Sequence, residues 1–353
     1  MPNTIHPAGY PLPIPIPGLQ YYQSNGSFPL ENGGVLPELT IGFHTYGTLN
    51  AERSNVIWVC HALTANSDVS DWWSGLYGAG NVFDPEQYFI VCANMIGSCY
   101  GSTGPRSRHP ETGKGYGKDF PLVSIRDVAR AHQVLLKHLD IASIALCVGG
   151  SCGGHQVLEM AYLMPEKIKK IALLVCASRE SAWAIAIHQS QRLAIEADPS
   201  WADDSDQGGK AGLRAARAVG LLSYRSIEAY RNTQTDPDER SDDFSAASYV
   251  RYQGDKLVKR FYAQSYWHLT KTLDTHHLGR ERGGVAAALQ RLEMPAWVFS
   301  IQQDMLIPPH EQEILARHLP NAQFYSCNSP YGHDGFLVET AAVRAHLFPF
   351  LAS

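Results

Sequence analysis

The chain has 353 residues, 44% hydrophobic and 18% charged. That balance belongs to a globular protein with room for one large α/β domain carrying an insertion, or for two domains. A net charge of -5 without any basic run argues against a nucleic-acid partner. No apolar run reaches the roughly 18 residues that a membrane span needs.

The opening Met1-Pro2-Asn3-Thr4-Ile5-His6-Pro7 has neither a charged n-region nor an apolar h-region, so no signal peptide is expected. Seven cysteines show no framework spacing. Cys60, Cys92, Cys147 and Cys176 lie in apolar, strand-like runs, the setting of reduced, buried thiols in a cytoplasmic protein. No CxxC pair marks a zinc site, so no metal is expected.

Residues 1–35 are rich in Pro, Gly and Asn, with Pro-x-Pro-x-Pro spacing between Pro11 and Pro17. They read as an extended lead-in or a surface-hugging arm. Leu39 to Tyr46 alternates and reads as an edge strand, broken by Gly47-Thr48-Leu49-Asn50. Val56-Ile57-Trp58-Val59-Cys60 is continuously apolar, the mark of a parallel strand buried on both faces. Tyr88 to Ala93 repeats that pattern. It leads into the Gly/Ser-dense loop Asn94 to Arg106, which lacks a Walker Gly-Lys-Ser/Thr ending and opens no helix. An NTPase reading is therefore rejected, and the loop is expected to shape a pocket. Val123 to Leu139 has helical periodicity and would cross over to the next strand as a βαβ unit.

That next strand is Ile144 to Val148, followed by Gly149-Gly150-Ser151-Cys152-Gly153-Gly154 and a helix-like His155-Gln156-Val157-Leu158-Glu159. Gly149-x-Ser151-x-Gly153 between a strand and a helix is the pattern of the nucleophile elbow of α/β hydrolases. The glycines relieve a strained turn, and the reward is an exposed Oγ at the positive end of a helix dipole. Cys152 is rejected as the nucleophile because its side chain begins the helix and points elsewhere. Its backbone N–H matters more, as one oxyanion donor. The loop His61-Ala62-Leu63-Thr64 is expected to supply the second, through the N–H of Leu63.

Pro165 ends the elbow helix, and Ile171 to Cys176 is a further buried strand. From about 178 to 290 the composition shifts to Arg, Gln, Asp and Tyr, with helical patterns and no long apolar strand. This reads as a helical lid. The expected organisation is a first core part at 1–177, a lid at 178–290 and a second core part at 291–353. The expected fold is α/β: an α/β-hydrolase core with a mostly parallel central sheet and a helical lid insertion. Strand pattern returns at Ala296 to Ile301. A helix opens at Pro308-Pro309, a short strand follows at Gln323 to Ser326, then a loop at Ser329 to Phe336 and a last helix from about Leu337 to Leu351.

The hydrolase order of Ser, then acid, then His is met by Ser151, Asp304 and His333. Each follows a strand's C-terminal end, where open α/β sheets place their sites. His333 would act as general base for Ser151, and Asp304 would fix the imidazole tautomer. An acyl-Ser151 intermediate would make the kinetics ping-pong.

Beyond the triad, the chain resembles the homoserine O-acyltransferases of methionine biosynthesis over nearly its whole length from about residue 37. The resemblance rests on His61 to Thr64, the Asn94 to Pro105 loop, Phe120 to Asp127 and the Gly-Gly-Ser-Cys-Gly-Gly elbow. It also rests on Ala197-Asp198-Pro199-Ser200-Trp201, Ser248 to Gly254 and Ser329 to Asp334. The family elbow usually has Met where Cys152 stands, a soft swap of similar size. The resemblance implies acetyl-CoA as co-substrate and acyl donor with no cofactor, L-homoserine as acceptor, and a dimer through the lid. It implies that Arg192 holds the homoserine carboxylate and Asp334 its amino group, although Ser190-Gln191 replaces the usual Val-Gly before Arg192. Succinylating relatives carry Arg two residues after the triad acid. Here that position is Leu306, whose apolar side chain suits an acetyl methyl. Succinyl transfer to homoserine, O-acylation of serine, and a plain carboxylesterase stand as alternatives.

Overall fold

The protein is described here from a computed structural model covering residues 7, 9–24 and 26–353; the first six residues of the N-terminal arm, Ala8 and Asn25 lie outside the described residues. Eight strands form the main sheet: β1 (Gln20–Gln23), β2 (Thr40–Tyr46), β3 (Val56–Cys60), β4 (Phe89–Ala93), β5 (Ile144–Gly150), β6 (Ile171–Leu174), β7 (Ala296–Ile301) and β8 (Ala322–Cys327). Their spatial order is β1-β2-β4-β3-β5-β6-β7-β8. The six strands from β4 to β8 are mutually parallel, and β2 runs antiparallel to both of its neighbours, β1 and β4.

The continuous apolar runs follow from this placement. Val56, Trp58 and Cys60 of β3 pack into one core layer with the helices Ile125–His138 and Cys152–Leu163. Ile57 and Val59 face the opposite layer, with Trp297, Phe299 and the C-terminal helix Thr340–Ala352. A strand covered on both faces cannot alternate apolar with polar. The crossover helix is stopped at its start by a capping box, in which Ser124 and Asp127 each bond the other's backbone N–H. Such a cap contributes about 1 kcal/mol.

Two expectations are corrected. The strand at Thr40–Tyr46 is not an edge, because Gln20–Gln23 pairs along its free side. Residues Thr40 to His44 are accordingly all buried rather than alternating. The arm is thus part of the sheet, and Tyr10 is buried with its hydroxyl on the carbonyls of Ser98 and Ser102. Secondly, Ser329 to Phe336 is not all loop. Gly332–Asp334 form a 3-10 turn and Gly335–Val338 a short helix, so the final helix starts at Thr340.

Between β6 and β7 lie six helices: Ala182–Glu196, Lys210–Tyr224, Ile227–Gln234, Ser245–Val258, Ala263–Asp274 and Val285–Gln290. No helix among the described residues is long and apolar enough to cross a membrane.

Candidate active site

The elbow between β5 and its helix puts Ser151 at φ 55°, ψ -125°, a left-handed conformation costly for a side-chain-bearing residue. The residues two before and two after it must be glycine. A Cβ on Gly149 would lie 2.4 Å from the carbonyl carbon of Gly153, and one on Gly153 would lie 2.1 Å from the carbonyl oxygen of Cys60. The turn therefore packs the nucleophile helix against the exit of β3.

His333 Nε2 is 2.7 Å from Ser151 Oγ, and His333 Nδ1 is 2.7 Å from Asp304 Oδ2. The network assigns the imidazole proton to Nδ1, donated to Asp304, which leaves Nε2 to accept from the serine hydroxyl. Asp304 Oδ1 accepts from the backbone N–H groups of Leu306 and Ile307, both at 2.9 Å. The acid is thus held by three bonds and buried to 4% exposure. Burial alone lowers the basicity of His333, but the charge of Asp304 and its hydrogen bond outweigh that, and the net shift is upward.

Leu63 and Ser151 line one cavity of about 500 Å³. The N–H groups of Leu63 and Cys152 have no acceptor among the described residues. Two contacts missed in the sequence fix the loop that carries Leu63. Met95 donates its N–H to His61 Nε2 at 3.1 Å, and Gln156 on the nucleophile helix donates to the His61 carbonyl at 3.0 Å. Burial holds His61 down to about 4, so it stays a neutral acceptor. The sulfur of Cys152 points inward, 3.5 Å from Met95 Sδ, and burial pushes its thiol up to about 12. A buried, protonated thiol is a poor nucleophile.

Asp334 lines the cavity and is paired with Arg225, Nε to Oδ2 at 3.0 Å. Leu306 lines it too, beside Ile307. Arg192 is a correction. It is 3% exposed and absent from the cavity lining, with Nη2 2.6 Å from Asp274 and 2.9 Å from Gln189. Its helix turns it toward Asp274, where a buried guanidinium finds a counter-charge. The cation that the sequence reading missed is Arg217, which lines the cavity with its guanidinium 5.3 Å over the Tyr224 ring and has no carboxylate partner among the described residues. A signal was present: residues 217 and 224 are two helical turns apart and share one face of Lys210–Tyr224.

The cavity has a second polar wall that the triad does not use. His155, Glu180 and His188 line it, backed by Asp274 and His276.

A profile of the alpha/beta hydrolase fold matches residues 55–340. The homoserine O-acetyltransferase of Chlorobaculum tepidum is 46% identical over 94% of both chains. The chain belongs to the homoserine O-acyltransferase family. The crystal structure of the homoserine O-acetyltransferase from Bacillus anthracis superposes on this family member with a TM-score of 0.88 at 25% identity, covering 96% of this chain and 99% of the other. Esterase E22 shares the family fold at 21% identity and a TM-score of 0.86, over 94% of this chain and 99% of that one.

Proposed function

We propose that the protein is a homoserine O-acetyltransferase, moving an acetyl group from acetyl-CoA to the hydroxyl of L-homoserine. The observation that carries this is an unbroken Ser151–His333–Asp304 relay, with both links at 2.7 Å, in a chain 46% identical to a homoserine O-acetyltransferase. His333 takes the proton of Ser151 as Oγ attacks the thioester carbonyl. The N–H groups of Leu63 and Cys152 receive the developing oxyanion. The tetrahedral intermediate collapses, the C–S bond breaks and His333 returns the proton to the departing thiolate. The homoserine hydroxyl then gives its proton to His333 and attacks the acyl-Ser151 carbonyl, and the ester leaves as Ser151 recovers its proton. Arg217 pairs with the acceptor carboxylate, replacing Arg192 in that role, and Asp334 with the acceptor ammonium.

Transfer rather than hydrolysis requires that water be kept from the acyl enzyme. The helices from 182 to 274 supply Arg217, Tyr224, Lys256 and Leu273 to the cavity wall opposite the sheet, which supports that role. Exposed Leu193, Leu222, Ile227 and Tyr252 on these helices support a homodimer formed through them. The seven free cysteines, six of them buried, support a cytoplasmic setting.

The test is thiol release from acetyl-CoA and from succinyl-CoA, with L-homoserine or L-serine as acceptor. Acetyl-CoA with L-homoserine is expected to be the fastest pair. Ester hydrolysis unaffected by either amino acid would favour the esterase reading, and a faster succinyl donor would end the acetyl assignment.

A further inference from the structure

The wall formed by His155, Glu180 and His188 is built of buried polar groups that no step above employs. His155 lies one helical turn beyond Ser151 and is 1% exposed. Its Nε2 accepts from the Ala177 N–H at 3.4 Å, which places its proton on Nδ1. Among the described residues that Nδ1 has no hydrogen-bond partner, and neither has Glu180 Oε2, which stands 3.7 Å away. The separation is too long for a direct hydrogen bond. The ring of His155 is held in place by stacking on His276, with centroids 4.0 Å apart, and His276 Nε2 is fixed 3.0 Å from the Ala177 carbonyl. The Glu180 backbone N–H donates to the His276 carbonyl at 2.9 Å. The two side chains are thus held in place on the cavity lining. Ala177, Ala184, Leu306 and Ile307 form the adjoining apolar cluster, so the pair lies beside the Leu306 wall.

We propose that His155 and Glu180 form a subsite for a hydroxyl on the acyl chain, so that the enzyme also uses short hydroxyacyl thioesters and prefers them to their deoxy analogues. This rests on the acyl-transfer reading above. A hydroxyl oxygen placed between the two accepts from His155 Nδ1–H and completes Glu180 through its own hydrogen. The other chemistries fit worse. A methyl leaves both groups unsatisfied. A carboxylate meets the negative charges of Asp274 and Glu311, which also help to raise the pKa of Glu180. An ammonium needs an ionised Glu180, yet burial pushes that carboxyl up to about 8, with Asp274 and Glu311 adding to the effect. The ammonium would also face the His155 N–H head-on.

The test compares 3-hydroxypropionyl-CoA with propionyl-CoA, which differ by one hydroxyl, using L-homoserine as acceptor and kcat/KM from thiol release. The wild-type ratio is expected to favour the hydroxyacyl donor by about tenfold or more. Glu180→Leu and His155→Met should each bring the ratio to about one or below, while Glu180→Gln, whose amide still hydrogen-bonds, should keep the preference. Each ratio is taken within one preparation, so partial unfolding of a variant cancels. A wild-type ratio of one or less overturns the proposal without any variant. So does a preference that survives both Glu180→Leu and His155→Met, or succinyl-CoA outrunning the hydroxyacyl donor. Acetyl-CoA turnover with L-homoserine is read on the same samples. Turnover with a flat ratio refutes the subsite alone, whereas no thiol release from any thioester refutes the acyl-transfer reading as well.

Discussion

Asp304 and Glu180 are buried carboxyl groups that follow neighbouring parallel strands, β7 and β6, and their surroundings differ. Asp304 accepts three hydrogen bonds, from His333 and from the N–H groups of Leu306 and Ile307. Glu180 Oε2 has no hydrogen-bond partner among the described residues, and burial raises its pKa to about 8. A carboxyl ringed by donors is preorganised to stabilise an imidazolium, whereas one facing an imidazole beyond bonding distance awaits a ligand. Burial alone does not mark a catalytic acid; the donors around it do.

The comparison breaks most sharply by substitution. Ser151→Ala should reduce thiol release by about 10⁴-fold or more, since it removes the acyl acceptor itself. Intact-mass measurement should then detect no acylated protein. Asp304→Asn should lower kcat by about 10³–10⁴-fold, because the amide favours the wrong imidazole tautomer. Glu180→Gln should cost less than about tenfold with acetyl-CoA. Equal losses at Asp304 and Glu180 would erase the distinction between them.

The same contrast separates two arginines. Arg217→Ala should raise the KM for homoserine by about 10–100-fold with little change in melting temperature, as expected for a lost charge-assisted carboxylate contact. Arg192→Ala should do the reverse. It takes the guanidinium from Asp274, which keeps its His188 contact, and breaking a buried pair costs about 3–5 kcal/mol, so thermal unfolding should move down while homoserine KM holds. A KM effect at Arg192 without a stability loss would return the carboxylate to that residue.

What the sequence made legible follows the same division. The strands β3 to β7 could be read because burial on both faces leaves uninterrupted apolar runs such as Val56–Cys60. The elbow could be read because steric necessity fixes Gly149 and Gly153 beside Ser151. Asp304 and His333 could be read from their order behind strands. The arm's strand at Gln20–Gln23 could not, since its half-exposed Gln-Tyr-Tyr-Gln carries no periodic signal and is defined by its pairing with β2. Arg192 and Arg217 both sit on amphipathic helices of one polar stretch. Which of them faces the cavity depends on how those helices pack, which no local pattern encodes. His155 and Glu180 went unnoticed because their meeting depends on His276, more than 90 residues further along the chain.

The pH profile sharpens the Asp304 side of the contrast. His333 must be neutral to accept the Ser151 proton, and its pKa is raised above the ordinary 6.5 by Asp304 despite burial. Activity should therefore fall as pH drops through a value above 6.5. In Asp304→Asn the residual activity should show that acid limb displaced to lower pH, since burial is then opposed only by the lesser charge effect of Asp334. A limb that stays in place would assign the titration to another group.

The smallest expected effect concerns Leu306. Its side chain shares a cluster with Ile307, Ala177, Ala184 and Tyr224, so an acyl methyl is well received there and a terminal carboxylate is not. Leu306→Arg supplies a cation two residues beyond Asp304, while the backbone N–H that holds Asp304 is retained. The triad should survive, and the ratio of succinyl-CoA to acetyl-CoA turnover should rise by about tenfold. The guanidinium must also coexist with Glu180 on the adjoining wall. If Glu180 ionises to pair with the new arginine, the cation is spent and the donor ratio stays flat. Adding Glu180→Leu to Leu306→Arg should then release the arginine and restore the succinyl preference. A flat ratio in both the single and the double variant would remove Leu306 as a determinant of the acyl group.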